Sequence, residues 1–321
     1  LGASDIHLEP QERDLRLRLR IDGLLRVIDP PSAGIAQRMP ARIKVMAGMD
    51  ISERRLPQDG RLRLTDSSGV TSELRISTLP TLWGEKIVMR MLSNSSRQPG
   101  INDLGFEPAQ QDLFLHALAQ PQGLILVTGP TGSGKTVTMY SGLTHLNKVH
   151  RNISTAEDPV EMHLEGINQV GINPRIGLGF ATTLRALLRQ DPDVIMVGEI
   201  RDLETASIAM HASHTGHLVL STLHINSAAA TLHRLQQMGL AAHDLATSIS
   251  LIIAQRLMRK LCLRCRRRDP NTDRYLRDNW GTSLLIDQVF APSIDGCNAC
   301  YRGYHGRTGI FELLSVDENA L

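Results

Sequence analysis

Eight consecutive residues, Gly129-Pro-Thr-Gly-Ser-Gly-Lys-Thr136, limit the possible folds of this chain more than any other feature. They match the pattern G-x-x-x-x-G-K-[ST] and follow a short apolar run at residues 124–127, which is typical of a buried parallel strand. A helical pattern continues from the motif to about Leu146. A strand, a glycine-rich loop and a helix in this order predict a loop whose backbone N–H groups wrap phosphate oxygens.

The residue types in this loop suit a nucleotide with bound magnesium. Lys135 is expected to reach the β- and γ-phosphates, and the Thr136 hydroxyl to hold Mg²⁺. The alternative, a glycine-rich turn without a function, leaves the Lys-Thr pair and both flanking elements unexplained. The residues predicted to bind nucleotide are Gly129, Pro130, Thr131, Gly132, Ser133, Gly134, Lys135, Thr136 and Val137.

Strands and helices alternate through the remainder of this region. Strands are predicted at residues 153–156, 194–197 and 218–222, and helices at residues 108–119, 181–189 and 203–212. This order is typical of a doubly wound, mostly parallel sheet, here assigned to a domain at residues 105–321.

A smaller α/β domain is predicted at residues 1–92. Its predicted strands lie at residues 15–21, 24–28, 61–65, 73–79 and 87–92, with a helix at residues 36–49. Asp22-Gly23 predicts a hairpin turn. Residues 93–104 are assigned as a linker, because their first part is mostly Ser, Asn, Gln and Pro.

Polar residues stand at the ends of several predicted strands. Glu199 follows the strand at residues 194–197, where its carboxylate could orient or deprotonate an attacking water. The motif Glu157-Asp158-Pro-Val-Glu161 follows another strand, while His217 precedes a third and His224 follows it. On spacing alone, the acids at 157–161 and the two histidines fit either a site or a solvated loop.

The four cysteines form two CxxC pairs, Cys262/Cys265 and Cys297/Cys300, with 31 residues between the inner cysteines. Two such pairs are the usual ligand set of a closed structural zinc site, although the spacing between pairs is more often roughly 15–20 residues. Residues 262–300 lack the alternation of strand and helix patterns that precedes them, and they are assigned as a metal-binding insertion. The alternatives are free or buried thiols and a redox pair.

Bulk properties narrow the classes of function. The net charge is +2 over 321 residues and only 3% of residues are aromatic, which argues against a nucleic-acid motor with base-stacking platforms. No apolar stretch approaches the roughly 20 residues that span a bilayer, and no signal peptide is evident. These features favour a cytoplasmic protein with no membrane span. The start without Met favours a segment of a longer protein.

Taken together, the motifs resemble the secretion ATPases of type II secretion and type IV pilus assembly, over nearly the whole chain. Besides the P-loop, the resemblance is carried by Ala3-Ser-Asp-Ile-His-Leu-Glu-Pro10, Arg20-Ile-Asp-Gly23, Pro57-Gln-Asp-Gly-Arg61, Thr155-Ala-Glu-Asp-Pro-Val-Glu161, Asp191-Pro-Asp-Val-Ile-Met-Val-Gly-Glu-Ile-Arg-Asp202 and Thr215-Gly-His-Leu-Val-Leu-Ser-Thr-Leu-His224. Ile225 departs from the family, which usually has Thr there. Several segments resemble the sequences of the pilus-extension branch more closely than those of type II secretion ATPases. Pilus-retraction members of the family typically lack the four cysteines.

The resemblance implies a RecA-like P-loop NTPase domain, a PAS-like N-terminal domain and a tetracysteine zinc insertion. It implies a hexameric ring that hydrolyses ATP to drive assembly of a pilus or pseudopilus, working with inner-membrane platform and docking proteins and with no nucleic acid. It also implies roles for particular residues. Glu157, Asp158, Glu161, His217 and His224 would line the nucleotide site, Arg75, Arg90 and Arg201 would contact phosphate, and Arg307 would lie near the adenine or ribose.

Two other functions remain compatible with the P-loop. One is a RecA-like nucleic-acid motor, such as a helicase or conjugation ATPase. The other is a nucleotide-binding module without turnover, although Lys135, Thr136 and Glu199 are all in place.

Overall fold

The computed structural model describes residues 2–65, 69, 71–92, 100–272, 274, 276 and 289–316. The chain forms two compact units. The first combines Leu1–Gln98 with Leu146–Gly198, and the second combines Pro99–His145 with Glu199–Leu321.

The first unit contains a six-stranded antiparallel sheet. Its strands are β1 (Ala3–Pro10), β2 (Leu15–Ile21), β3 (Leu24–Ile28), β4 (Gln58–Thr65), β5 (Thr71–Thr81) and β6 (Gly84–Leu92), in the order β3-β2-β1-β6-β5-β4. The predicted strands at residues 15–21 and 24–28 are confirmed. Asp22 and Gly23 form the predicted turn between them with φ values of 50° and 84°, which match the right-handed twist of a hairpin.

Alternation along β1 sorts its side chains onto the two faces of this sheet. Leu8 lies in the hydrophobic core, while the neighbouring Glu9 bonds to Arg16 and Arg18 of β2 on the other face. The buried members of the core cluster are Leu8, Ile43, Ala47, Leu62, Leu74, Ile76, Ile87 and Met89. One face of the sheet is therefore apolar and the other is charged.

The single helix predicted at residues 36–49 is two shorter helices, α1 (Ala33–Ala36) and α2 (Met39–Met46). Pro40 lies in the first turn of α2. Proline lacks a backbone N–H, so it fits the start of a helix but interrupts one that began earlier. Gly48, with φ of 68°, follows the end of α2.

The elements from residue 100 onward include all of the predicted strands and helices, with bounds that differ by at most a few residues. They are α3 (Pro108–Ala119), β7 (Gly123–Thr128), α4 (Lys135–Leu146), β8 (Ile153–Glu157), β9 (Asn168–Gly171), α5 (Phe180–Leu187), β10 (Val194–Val197), α6 (Leu203–His214), β11 (Leu218–Leu223), α7 (Ala228–Gln237), α8 (Ala242–Ser248), β12 (Ile249–Leu261), β13 (Arg267–Arg268), β14 (Phe290–Ala291) and β15 (Tyr304–Ser315). In the first unit, β10, β8 and β9 are parallel neighbours in that order.

In the second unit, β11, β7 and β12 are parallel neighbours and β15 pairs with β12 in the antiparallel sense. The parallel arrangement is as predicted, whereas the sequence pattern does not predict β12 or β15. The first half of β12 is buried beside β7, and from Arg256 onward exposed and half-buried residues alternate. A strand whose pattern changes midway gives no single periodic signal.

Parts of three predicted segments lie outside the described residues: 66–68 of the predicted second hairpin turn, 93–99 of the linker, and 273, 275 and 277–288 of the metal-binding segment. Within the part of the chain that is described, no helix is long and apolar enough to cross a membrane.

Candidate nucleotide site and metal centre

The phosphate-binding loop joins β7, which ends at Thr128, to α4, which begins at Lys135. Gly129, Gly132 and Gly134 have φ values of 146°, 77° and 89°, which side-chain-bearing residues rarely adopt. A Cβ on Gly129 would also lie 2.4 Å from the backbone oxygen of Gln255. Backbone conformation therefore explains these glycines, and the predicted strand–loop–helix context is confirmed.

Lys135 folds back over this loop. Its Nζ donates to the carbonyl oxygens of Gly129 at 2.8 Å and Pro130 at 3.2 Å, and its side chain is largely buried. Ser133 Oγ is buried and has no hydrogen-bond partner among the described residues. A buried hydroxyl without a partner is unfavourable, and an oxygen-rich ligand such as a phosphate would satisfy it. The loop thus fits a nucleotide phosphate, with Thr136 half-buried in the first turn of α4.

Glu199, His224 and Lys135 come together at one edge of the second unit. His224 Nε2 lies 3.6 Å from Glu199 Oε2, and His224 Nδ1 lies 3.5 Å from Lys135 Nζ. A lysine ammonium can only donate, so Nδ1 of His224 is the acceptor in this contact, and Nε2 faces the Glu199 carboxylate. Arg201 forms a short ion pair with Glu199. Four predicted site residues therefore form one contiguous group.

Backbone contacts hold this group beside the phosphate-binding loop. Thr128 Oγ1 donates to the Ile225 carbonyl at 2.7 Å, and the Ile225 N–H approaches the same hydroxyl at 3.1 Å. The Ile200 N–H donates to the Thr222 carbonyl at 3.0 Å. Since Ile225 takes part through its backbone, the absence of the usual Thr at this position does not remove these two contacts.

Gln255 of β12 also contacts the phosphate-binding loop, and the sequence analysis did not identify it. Its Nε2 donates to the Ser133 carbonyl at 2.7 Å, and its Oε1 accepts from Thr138 Oγ1 at 2.8 Å. The available signal is a polar residue directly after the apolar run at residues 251–254. That signal gives no indication of the partner, which is 122 residues away in sequence.

The predicted acids at residues 157–161 lie in the first unit. Glu157 ends β8 and is buried, and its Oε1 accepts from Thr155 Oγ1 at 2.6 Å and from Gln169 Nε2 at 3.0 Å. Asp158 and Glu161 are exposed. These contacts fix the position of Glu157 and leave the two following acids at the surface.

Arg75 and Arg90 are also in the first unit, directly opposite each other on β5 and β6. Arg90 Nε donates to Asp5 Oδ1 at 2.9 Å, whereas Arg75 lies 4.0 Å from Asp59. Burial raises the pKa of Asp5, but hydrogen bonds from Arg90 and Ser4 outweigh burial and hold the pKa below its ordinary value. Asp5 is therefore a carboxylate that orients Arg90.

His217 and Arg307 are not part of the group around Lys135. His217 precedes β11 and His224 follows it, so the strand of six residues, about 20 Å long, separates them. The Nδ1 of His217 lies 3.0 Å from the Ala212 carbonyl, near the end of α6. Arg307 lies on β15 opposite Arg259 of β12. It is four residues, or about 13 Å, along β15 from Phe311, which pairs with Gln255. Neither residue is brought to the phosphate-binding loop.

The four cysteines form one cluster. All four Sγ atoms lie within 4.8 Å of one another, with 3.8 Å between Cys262 and Cys297 and 3.4 Å between Cys265 and Cys300. Tetrahedral zinc with bonds of about 2.3 Å would place its sulfur ligands about 3.8 Å apart. The predicted ligand set is therefore brought together at distances that suit a zinc ion.

The pKa values of two of the cysteine thiols also favour a bound metal ion. Burial raises the pKa of Cys262, but the backbone N–H groups of Arg264 and Cys265 lower it to about 7. Burial and the neighbouring thiols raise the pKa of Cys265 to about 12. Cys265 would have to lose its proton well below that pKa to bind a metal as a thiolate, and a metal ion would supply the positive charge that stabilises the thiolate.

A family model described as "Type II/IV secretion system protein" matches residues 1–321. The chain belongs to this family. Type IV pilus assembly ATPase PilB of Pseudomonas aeruginosa is 57% identical over 319 residues, which cover 98% of this chain and 55% of that protein. Type II secretion system ATPase E of Vibrio cholerae is 47% identical over 322 residues, covering 99% of this chain and 63% of that protein. The chain spans about half the length of its pilus-assembly relatives.

A solved structure of the pilus retraction motor PilT with bound ADP matches 99% of this chain and 81% of that chain, with a TM-score of 0.65 and 28% identity. The fold class of this type II/IV secretion family member is accordingly α/β of the P-loop NTPase kind, with a smaller N-terminal α/β part and a cysteine cluster. In chemical terms, the second unit offers a loop for phosphates, a lysine for their charge and a carboxylate held between a histidine and an arginine.

Proposed function

We propose that this chain is the ATP-hydrolysing part of a motor that powers assembly of a type IV pilus or a type II secretion pseudopilus. The observation that carries the proposal is the convergence of Lys135, His224 and Glu199 beside the phosphate-binding loop. His224 lies 3.5 Å from Lys135 through one ring nitrogen and 3.6 Å from Glu199 through the other. A loop that binds phosphate explains nucleotide binding alone. A carboxylate held by a histidine and an arginine adds a group that can act on water.

In the proposed mechanism, backbone N–H groups of the phosphate-binding loop, among them that of Gly134, and the Lys135 ammonium bind the phosphates, and Thr136 would hold Mg²⁺. The ion, when bound, would neutralise charge on the phosphates. Glu199 orients the attacking water and accepts its proton at a carboxylate oxygen. His224 and Arg201 keep that carboxylate in place. In this proposal Arg201 also contacts a phosphate oxygen.

We assign the N-terminal domain to residues 1–92, the linker to 93–104 and the ATPase domain to 105–321, with the zinc-binding segment at 262–300. Arg75 and Arg90 contact phosphate oxygens in this proposal, as the resemblance to secretion ATPases implies, and a guanidinium suits that role. The same resemblance supports a role in nucleotide hydrolysis for Glu157, Asp158 and Glu161. Arg307 is assigned to the adenine or ribose, whereas His217, which lies beside the Ala212 carbonyl near the end of α6, is not assigned a contact with the nucleotide.

The working form is a homohexameric ring on the cytoplasmic side of the inner membrane, where ATP is available, attached through platform and docking proteins. The identity of 57% to the pilus assembly ATPase of Pseudomonas aeruginosa, against 47% to the secretion ATPase of Vibrio cholerae, supports the pilus branch. The close cysteine cluster supports zinc as the metal.

ATP turnover measured against protein concentration tests the motor proposal, with particle size followed by light scattering. Turnover per subunit should rise as the chain assembles into a ring, because sites completed by a neighbouring subunit work only in the assembly. Turnover that stays constant while the ring forms would contradict the ring motor. Absence of turnover in an assembled ring that binds Mg-ATP would support a binding module instead.

A further inference from the structure

Gln255 is buried, with 3% of its surface exposed, and both ends of its side-chain amide are bonded. The Ser133 carbonyl can only accept a hydrogen bond, so the atom facing it at 2.7 Å must be the NH₂ group. The amide oxygen is then turned to Thr138 Oγ1 at 2.8 Å, which donates to it. The two bonds fix the orientation of the amide and tie the loop to the first turns of α4.

The bond to Ser133 has a consequence for the next residue. In a planar trans peptide, the C=O and the following N–H point in opposite directions. Holding the Ser133 carbonyl toward Gln255 therefore directs the Gly134 N–H away from β12. Among the described residues, this N–H donates to no backbone acceptor.

The peptide between Ser133 and Gly134 needs such a support. Gly134 has φ of 89° and no Cβ, so the peptide could rotate to another orientation at little cost in energy. The loop also rests closely on β12, since a Cβ on Gly134 would lie 3.2 Å from Gln255 Nε2 and 3.4 Å from Leu257 Cδ2. A strand from a distant part of the sequence thus forms the surface on which the loop is shaped.

We propose that Gln255 is a positioning residue of the phosphate-binding loop, which holds the Ser133–Gly134 peptide so that the Gly134 N–H faces the phosphates of the nucleotide. The proposal rests on the proposed ATP-binding function. Gln255 itself touches no substrate and acts through the loop. Its loss should weaken the binding of nucleotide phosphates even when the protein remains folded.

The test compares Gln255→Met with Gln110→Met in Mg-ADP binding by calorimetry. Gln110 is a matched control, because its Nε2 donates to the Phe311 carbonyl of β15 at 3.0 Å and its Oε1 accepts from the Glu107 N–H at 3.1 Å. Both variants lose an amide that links two elements of the second unit. Gln255→Met should raise the Kd for Mg-ADP about tenfold, the size expected for one or two lost buried hydrogen bonds, and Gln110→Met should change it less than about twofold.

Thermal unfolding of both variants measures their stability, which distinguishes a role of Gln255 in positioning the loop from a role in stabilising the folded protein. An unchanged Kd in Gln255→Met, with stability lowered as in Gln110→Met, would overturn the proposal. Should Gln255→Met fail to fold, Thr138→Val removes the donor to Oε1 and keeps the Ser133 bond. That variant should weaken Mg-ADP binding about twofold to fivefold through a less ordered amide, and unchanged binding would again overturn the proposal. A wild-type chain that does not bind Mg-ADP would refute the proposed function itself.

Discussion

Replacing Glu9 by Gln should destabilise the first unit in a pH-dependent way. The Glu9 side chain is 6% exposed and its carboxylate meets Arg18 at 2.6 Å, Lys86 at 3.0 Å and Arg16 at 3.1 Å. Burial raises the pKa of Glu9, but hydrogen bonds and charge from Arg18 and Lys86 outweigh burial and lower it to about 2. The folded state therefore strongly favours the ionised carboxylate.

The magnitude follows from the change in pKa. The ordinary value is 4.5 and the folded value is about 2, and each pH unit corresponds to about 1.36 kcal/mol, which gives an upper limit of about 3.4 kcal/mol. Arg16 and Lys86 are partly exposed, and solvent screening reduces this to about 2–3 kcal/mol. Because the folded pKa is depressed, the stabilisation is complete above about pH 4.5 and is lost as the pH falls toward 2.

Urea unfolding near pH 7 and near pH 3 measures this effect. Glu9→Gln keeps the shape of the side chain and removes its charge, so the variant should be about 2–3 kcal/mol less stable than the wild type near pH 7 and about 1 kcal/mol less stable near pH 3. Glu12→Gln, an exposed carboxylate in the turn after β1, is the control and should change stability by less than about 0.5 kcal/mol. A stability difference that is the same at both pH values would refute the reasoning.

Two further predictions concern a glycine and the cysteine cluster. Gly60→Ala should cost about 1–3 kcal/mol in urea unfolding, because its Cβ would lie 2.5 Å from the Ala47 carbonyl oxygen, whereas Gly171→Ala, with open space around it, should be nearly neutral. Equal stability of the two variants would contradict the observed packing. Cys297→Ser should abolish the binding of about one zinc ion per chain in elemental analysis, and Asn298→Ser should retain it; zinc retained by Cys297→Ser, or absent from the wild type, would remove the metal assignment.

The sequence predicts best those features that are local. The phosphate-binding loop is contiguous, and its glycines, lysine and flanking elements are all visible in one segment. The association of Glu199 and His224 is predictable for a related reason. Each follows a strand of the predicted parallel sheet, and the carboxyl ends of parallel strands share one edge of a sheet.

Features that depend on distant parts of the chain are not visible in the sequence. Gln255 meets Ser133 through a pairing of β12 with β7 that no local pattern specifies. His217 differs from Gln255, because the residues that decide its position are close to it in the sequence. The motif that contains both histidines suggests one site, but the intervening strand is extended and carries them to opposite ends. The split of the helix at residues 36–49 was predictable from Pro40.

Single-turnover hydrolysis of Mg-ATP by the wild type and Glu199→Gln tests the central claim most directly, because it separates the chemical step from product release. The variant should hydrolyse bound ATP about 100-fold more slowly or worse, while its Kd for Mg-ATP stays within about threefold of the wild-type value. Glu204→Gln, an exposed carboxylate in the first turn of α6, should keep wild-type rates. Hydrolysis by Glu199→Gln at the wild-type rate would contradict the assignment of the carboxylate between His224 and Arg201 to the chemical step.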